Sequence, residues 1–191
     1  MSPIMKTRKV QIEEVATALF KERGYAGTSV RDLAAAVGIE AASIYSHMSG
    51  KEEILRRICF KMAHKFLDTL NTLMANKSLS PEAKLKSAIQ QHVLIIANNL
   101  PSSAVFWNEW RYMSEPFFTD FENMQRDYEQ KFRQIIKEGV EQGVFHVENI
   151  TFTTMAILSS LNGVAKWHDY TLAPDELAAA FAELYIKGLR K

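Results

Sequence analysis

The sequence predicts an all-α protein of about nine helices: an N-terminal three-helix domain built around a helix-turn-helix, followed by a larger helical body. Three observations predict it. Eight glycines and five prolines in 191 residues leave few breaks, and those breaks fall at helix-length intervals. Between them apolar residues recur three and four positions apart, the period of a helix with one buried face. No segment alternates apolar and polar residues as a half-buried strand does.

The elements follow in order. Ile12, Val15, Ala16, Leu19 and Phe20 form one helical face, and Gly24 stops it. Thr28 and Ser29 offer an N-cap for a face of Val30, Leu33, Ala34 and Val37 that ends at Gly38. A very short segment, Ala41 to His47, follows at once. Ser49 and Glu52 read as a capping box opening a long fourth helix with Ile54, Leu55, Ile58, Met62, Phe66 and Leu70 on its apolar side. Ser80-Pro81-Glu82 places a cap and an N1 proline before a fifth helix that runs to about Asn98. Leu100-Pro101 breaks the chain before an aromatic-rich segment that reaches Met113, and after Pro116 a helix continues to Gln142, with Gly143 as its stop. Asn149 caps a run over about 149–168, and Pro174-Asp175-Glu176 starts the last helix, about 174–189.

Composition narrows the function classes. Hydrophobic residues make up 47% and charged residues 24%, the balance of a globular protein large enough to build its own core. The single cysteine, Cys59, excludes an intrachain disulfide and points to a reducing, cytoplasmic location. Apolar runs such as Val93 to Ala97 are far short of the ~20 residues that span a membrane, and the N-terminal stretch lacks the apolar core of a signal peptide. The five histidines, at 47, 64, 92, 146 and 168, include no pair three or four apart, so no helix-borne metal site is expected. Glycine-rich phosphate loops and nucleophile–base sets are missing too. The reading is therefore of a protein that is not an enzyme and carries no cofactor.

The strongest local signal lies in the first third. Two short helices joined by a glycine turn, Val30–Val37 and Ala41–His47 around Gly38-Ile39, have the spacing of a DNA-binding helix-turn-helix. The small residues Ala41, Ala42 and Ser43 let the second helix seat deeply in a major groove, with Ser43 able to bond a base edge or phosphate. Ile44 anchors the other face. Tyr45, His47 and Lys51 supply hydroxyl, imidazole and ammonium groups of the kind that contact phosphate. The +1 net charge divides unevenly in support: residues 1–61 hold ten Lys/Arg against seven Asp/Glu.

These residues carry a resemblance. The stretch Ile12 to Phe20, Gly24-Tyr25, Thr28 to Ala34, Gly38-Ile39, Ser43-Ile44-Tyr45 and Lys51 to Leu55 resembles the DNA-binding domain of the TetR/AcrR family of bacterial transcriptional regulators. Two departures stand out: Met48 replaces the usual phenylalanine, and Glu40 stands where Ser or Thr caps the recognition helix. The resemblance implies a helix-turn-helix domain over 6–66, with its motif at about 29–48, and an effector-binding and dimerisation domain over 67–191. It implies DNA contacts from Thr28, Ser29, Ala41, Ala42, Ser43, Tyr45, His47 and Lys51. It also implies a homodimeric repressor on a palindromic double-stranded DNA operator, paired through the last two helices. There Ile157, Leu161 and Val164 form one apolar stripe, and Leu177, Phe181, Leu184 and Tyr185 another.

The remaining aromatics suggest an effector pocket, since ligand pockets are apolar with a few placed polar groups. Candidate lining residues are Met62, Phe66, Phe106, Trp107, Trp110, Arg111, Tyr128, Asn162, Lys166 and Trp167. The stretch Arg126-Asp127-Tyr128, Ile135 to Phe145 and Leu161-Asn162 to Trp167 resembles TetR members that respond to acyl-CoA thioesters, with Gly163 and Trp167-His168 departing from their pattern. A small hydrophobic effector, acyl-CoA or fatty acid, is the expectation. The alternative is a helical small-molecule-binding or scaffold protein without specific DNA binding.

Overall fold

The structure, a computed structural model, describes residues 7–166 and 172–190. Nine α-helices occur among them: α1 (Arg8–Arg23), α2 (Val30–Val37), α3 (Ala41–Tyr45), α4 (Lys51–Ala75), α5 (Pro81–Ala97), α6 (Leu100–Asn108), α7 (Phe117–Glu141), α8 (Ile150–Gly163) and α9 (Pro174–Leu189). Short 3-10 turns cover Trp110–Tyr112 and Val164–Lys166. Among the described residues there is no strand beyond one isolated bridge, Phe145 with Arg190. The expectation of an all-α fold stands, and no described helix is long and apolar enough to cross a membrane.

Two compact units divide the chain. The first comprises residues 1–62 and 101–121; the second, 63–100 and 122–191. The 101–121 segment thus belongs with the helix-turn-helix, although the whole of 63–100 intervenes in the chain.

In the first unit the local signals act as read. Thr7 caps α1, whose Ile12, Ala16, Leu19 and Phe20 are buried. Ser29 caps α2 in a capping box with Asp32. Gly38 takes the left-handed conformation (φ 75°, ψ 37°), which glycine adopts without a Cβ penalty. Its N–H donates to Ala35 O, and that of Ile39 to Ala34 O, the double bond of a Schellman turn. Met48 is 1% exposed and fills its apolar site as phenylalanine would. The predicted box at the start of α4 needs correction: Glu53, not Glu52, accepts from Ser49 N. With Lys51 as the first helical residue, Glu53 is the third, the position that reaches back.

In the second unit α5 packs against both α8 and α9. That corrects the two stripes assigned to intersubunit packing. Ile157, Leu161 and Val164 are fully buried within the chain, and Leu177 and Phe181 nearly so. Tyr185 is half-buried, with its hydroxyl against Ser160 Oγ. Of those seven only Leu184 is exposed, at 65%. The stripes face inward because α5 supplies their partner. Elsewhere Gly139 admits Phe145 so closely that a Cβ there would lie 2.1 Å from the ring, and Arg190 pairs with Glu82.

Candidate nucleic-acid interface and effector cavity

The recognition helix α3 is five residues long, too short to persist alone. It is held by Ile44, which is wholly buried, while Tyr45 is 59% exposed. Ala42 and Ser46 are exposed and Ala41, Ser43 and His47 half-buried, so the outer face presents small side chains, one phenol and one imidazole. Ser29 is also exposed, its hydroxyl engaged with Asp32. Glu40 precedes α3 with no side-chain cap bond.

Two predicted contacts are turned inward. Thr28 is 1% exposed, and its hydroxyl donates to Gly24 O at 2.9 Å. Lys51 donates to Tyr25 O at 2.7 Å and Thr28 O at 2.8 Å, and its ammonium lies 4.0 Å over the Tyr25 ring. Burial lowers its pKa below the ordinary lysine range. Both side chains tie the 25–28 turn to its neighbours instead of reaching outward.

The 101–121 segment clasps the same region. Glu109 accepts from Tyr25 N at 2.9 Å, and the Tyr112 ring lies 5.2 Å from that of Tyr25. Glu52 accepts from Ser114 N and Oγ at 2.7 and 2.5 Å; those bonds, the hydroxyl's first, hold its carboxyl below the ordinary range. Arg56 lies 4.0 Å over the Phe117 ring. Behind this, Phe106 and Trp110 pack on Phe121, and the Arg111 guanidinium covers the Trp110 face. Phe106, Trp110 and Met62 are buried, Trp107 half-buried and Arg111 exposed. These five effector candidates thus sit in the first unit, where Phe106 and Trp110 serve as aromatic core. Cys59 is wholly buried there, its thiol pushed up by burial and then by Glu109.

The second unit brings Phe66, Tyr128 and Asn162 together around a residue that the sequence pattern did not single out. His92 is 2% exposed. Its Nδ1 lies 3.0 Å from Tyr128 Oη and its Nε2 3.0 Å from Asn162 Oδ1. Burial pulls its pKa down to about 3, against a smaller opposing effect of the Asn162 bond, so the ring is neutral at physiological pH. Burial also raises the Tyr128 pKa well above the ordinary range. Phe66 and Phe132 flank the imidazole. Beside His92 and Tyr128 lies a cleft too narrow to hold a water molecule, lined by Phe66, Leu70, Leu73 and Ile95, among others. The available signal was register: His92 occupies the buried stripe of Ala88, Ile89, Val93 and Ile96, where an ionisable residue needs a partner. Lys166 is exposed, and Trp167 lies outside the described residues.

Two family models match the chain, and the second runs through 101–121. Residues 12–58 match the family of bacterial regulatory proteins named tetR. Residues 78–189 match the tetracyclin repressor-like C-terminal domain. The HTH-type transcriptional repressor KstR2 of Mycobacterium tuberculosis is 26% identical over 145 residues, 74% of this chain and 70% of the relative. The solved structure of the TetR-family regulator PfmR from Thermus thermophilus superposes with a TM-score of 0.84 at 30% identity, covering 94% of this chain and 99% of that one. AibR, solved in complex with isovaleryl coenzyme A and operator DNA, shares the fold at a TM-score of 0.81 and 20% identity, with 96% and 98% covered. With the C-terminal profile alone matching more than half of its length, the chain belongs to the TetR family of helix-turn-helix transcriptional regulators.

Proposed function

We propose that the protein is a homodimeric repressor that binds a palindromic operator and is released by a small hydrophobic effector, with acyl-CoA or fatty acid as the effector class. The observation that carries the DNA-binding part is α3 itself: a short helix anchored by Ile44 and aimed by the Gly38 turn, with small and polar side chains on its outer face. Ser29, Ala41, Ala42, Ser43, Tyr45 and His47 are the contacts this reading retains. The repressor sense follows KstR2, and the thioester class draws on AibR at the level of fold.

Residues 6–66 act as the DNA reader and 67–191 as the effector and pairing region, with 101–121 as the part of the latter that grips the reader. Dimerisation uses the exposed apolar side chains of α8 and α9: Phe152 at 70%, Met155 at 55% and Leu184 at 65%. Two-fold pairing sets two recognition helices about 34–36 Å apart, or a multiple of that. Coupling follows α4, one unbroken helix whose first turn ties Tyr25 through Lys51 and whose later turns supply Phe66 and Leu70 to the cleft beside His92.

A gel-shift assay on DNA upstream of the protein's own gene, repeated over a salt series, tests the reading. Each phosphate contact contributes about −0.9 to the slope of log K against log salt. A sequence-selective shift with a steep slope is expected; binding that ignores both salt and sequence rejects it.

A further inference from the structure

With Thr28 and Lys51 turned inward, the side chains on and just before α3 decide which bases the reader can tell apart. Residues 40–45 are Glu40, Ala41, Ala42, Ser43, Ile44 and Tyr45. Ile44 is committed to the core. An alanine can only touch a thymine methyl, and a serine hydroxyl suits several base edges. Glu40 is the one side chain of the six with a carboxylate, carboxamide or guanidinium, the groups that fix a base by its hydrogen-bond pattern.

Its carboxylate is free for that purpose. A Ser or Thr in this position turns its side chain back onto the helix as a cap; Glu40 does not. It lies in extended backbone (φ −72°, ψ 148°) with no side-chain cap bond, and it is exposed. Only its backbone serves α3, with Ser43 N donating to Glu40 O at 2.9 Å. Among the described residues the carboxylate has no hydrogen-bond or ion-pair partner. Ala41 and Ala42 carry nothing beyond Cβ, so the backbone can approach the bases closely enough for a glutamate to reach an edge.

A carboxylate in a major groove is repelled by the phosphates of both walls and loses hydration to the base edges, a cost unless a donor meets it. Only cytosine N4 and adenine N6 donate there. Adenine sets its N7 acceptor beside the donor, against the second carboxylate oxygen. Guanine and thymine offer acceptors alone. Cytosine is the base whose edge presents a donor with no acceptor next to it.

We propose that Glu40 reads cytosine: in each half-site of the operator its carboxylate accepts from the N4 amino group of one cytosine, and its charge refuses the other three bases at that position. The same charge weakens binding to unrelated DNA, so Glu40 raises the ratio of specific to non-specific affinity. This inference rests on the operator-binding reading above.

The test is selection of binding sites from a pool of randomised duplex DNA by the full-length protein, by Glu40→Ala and by Glu40→Gln, each variant checked for folding by circular dichroism. The unsubstituted protein is expected to prefer cytosine at one position per half-site by about 5- to 100-fold. Glu40→Ala should level the four bases there to within about 2-fold and leave every other position unchanged. Glu40→Gln, whose carboxamide matches adenine N6 and N7, should move the preference at that position to adenine. Identical motifs from all three proteins overturn the proposal. So does a change spread evenly over the whole site, which would make Glu40 a support for the seating of α3. Unfolding of either variant contradicts a carboxylate that bonds nothing. A protein that selects no sequence at all overturns the operator-binding reading itself, whereas a selected operator indifferent to residue 40 overturns this inference alone.

Discussion

Lys51 shows how a single side chain changes meaning once its surroundings are known. A lysine at the start of α4 suits a phosphate contact, yet its ammonium bonds two backbone carbonyls and covers the Tyr25 ring. Lys51→Met is therefore expected to lower stability in urea denaturation by about 2 kcal/mol, the cost of losing charge-assisted hydrogen bonds and leaving partly buried carbonyls unpaired. The salt slope of DNA binding should stay unchanged. If Lys51 were a phosphate contact, the slope would instead become shallower by about 0.9. His92 supplies a second residue-scale expectation. Its pKa falls from the ordinary 6.5 to about 3 on folding, so between those values the unfolded chain binds a proton that the folded chain does not. Its contribution is complete above pH ~6.5 and is lost as pH falls toward ~3, with a slope approaching ~1.4 kcal/mol per pH unit. His92→Gln should flatten the acid limb of the stability profile by up to that amount. An unchanged limb would mean the imidazole is not buried neutral. His92 was legible only as an odd residue in an apolar register; that Tyr128 and Asn162 would meet it, 36 and 70 residues away in sequence, was not.

Elements whose information is local were legible, the α4 capping residue apart, and those built from distant contacts were not. The α2–α3 turn needs one glycine in the left-handed region and a capping serine, both visible within a short stretch of chain. The aromatic segment 101–121 reads equally well as pocket wall or as core, because periodicity records that a face is buried and not what covers it. Its actual role depends on Glu109 meeting Tyr25 and Ser114 meeting Glu52, across 84 and 62 residues. The same limit applies to α8 and α9, whose strongest apolar stripes face α5. At this scale the clasp makes a prediction of its own. Glu109→Ala removes the acceptor of the Tyr25 amide, and hydrogen exchange at that amide should speed up by about 10-fold, while the Ser29-capped start of α2 keeps its protection. Equal acceleration across both sites would mean general loosening of the unit, and no acceleration would mean that the clasp bond does not restrain the turn.

For the molecule as a whole, the decisive quantity is what covers Phe152, Met155 and Leu184. Phe152, Met155, Ala156 and Ser159 follow the helical spacing along one exposed side of α8, and Leu184 is exposed on α9. Large apolar side chains left exposed on a surface are candidates for an association surface, and a two-fold pairing would use each of them twice. The double variant Phe152→Glu, Leu184→Glu places carboxylates where the partner would sit. Since both side chains are already in water in the isolated chain, helicity and urea stability of the monomer should hardly change. Sedimentation velocity should then report the mass of one chain, 21.7 kDa, in place of twice that. Operator affinity should fall by at least ~100-fold, because two half-sites bound by one rigid dimer gain from effective concentration and two separate chains do not. Ile157→Glu provides the contrast: that side chain is fully buried against its own chain, so the charge should unfold the protein instead of splitting a dimer. A double variant that stays dimeric places the interface elsewhere. One that becomes monomeric but keeps full operator affinity breaks the link between pairing and DNA recognition.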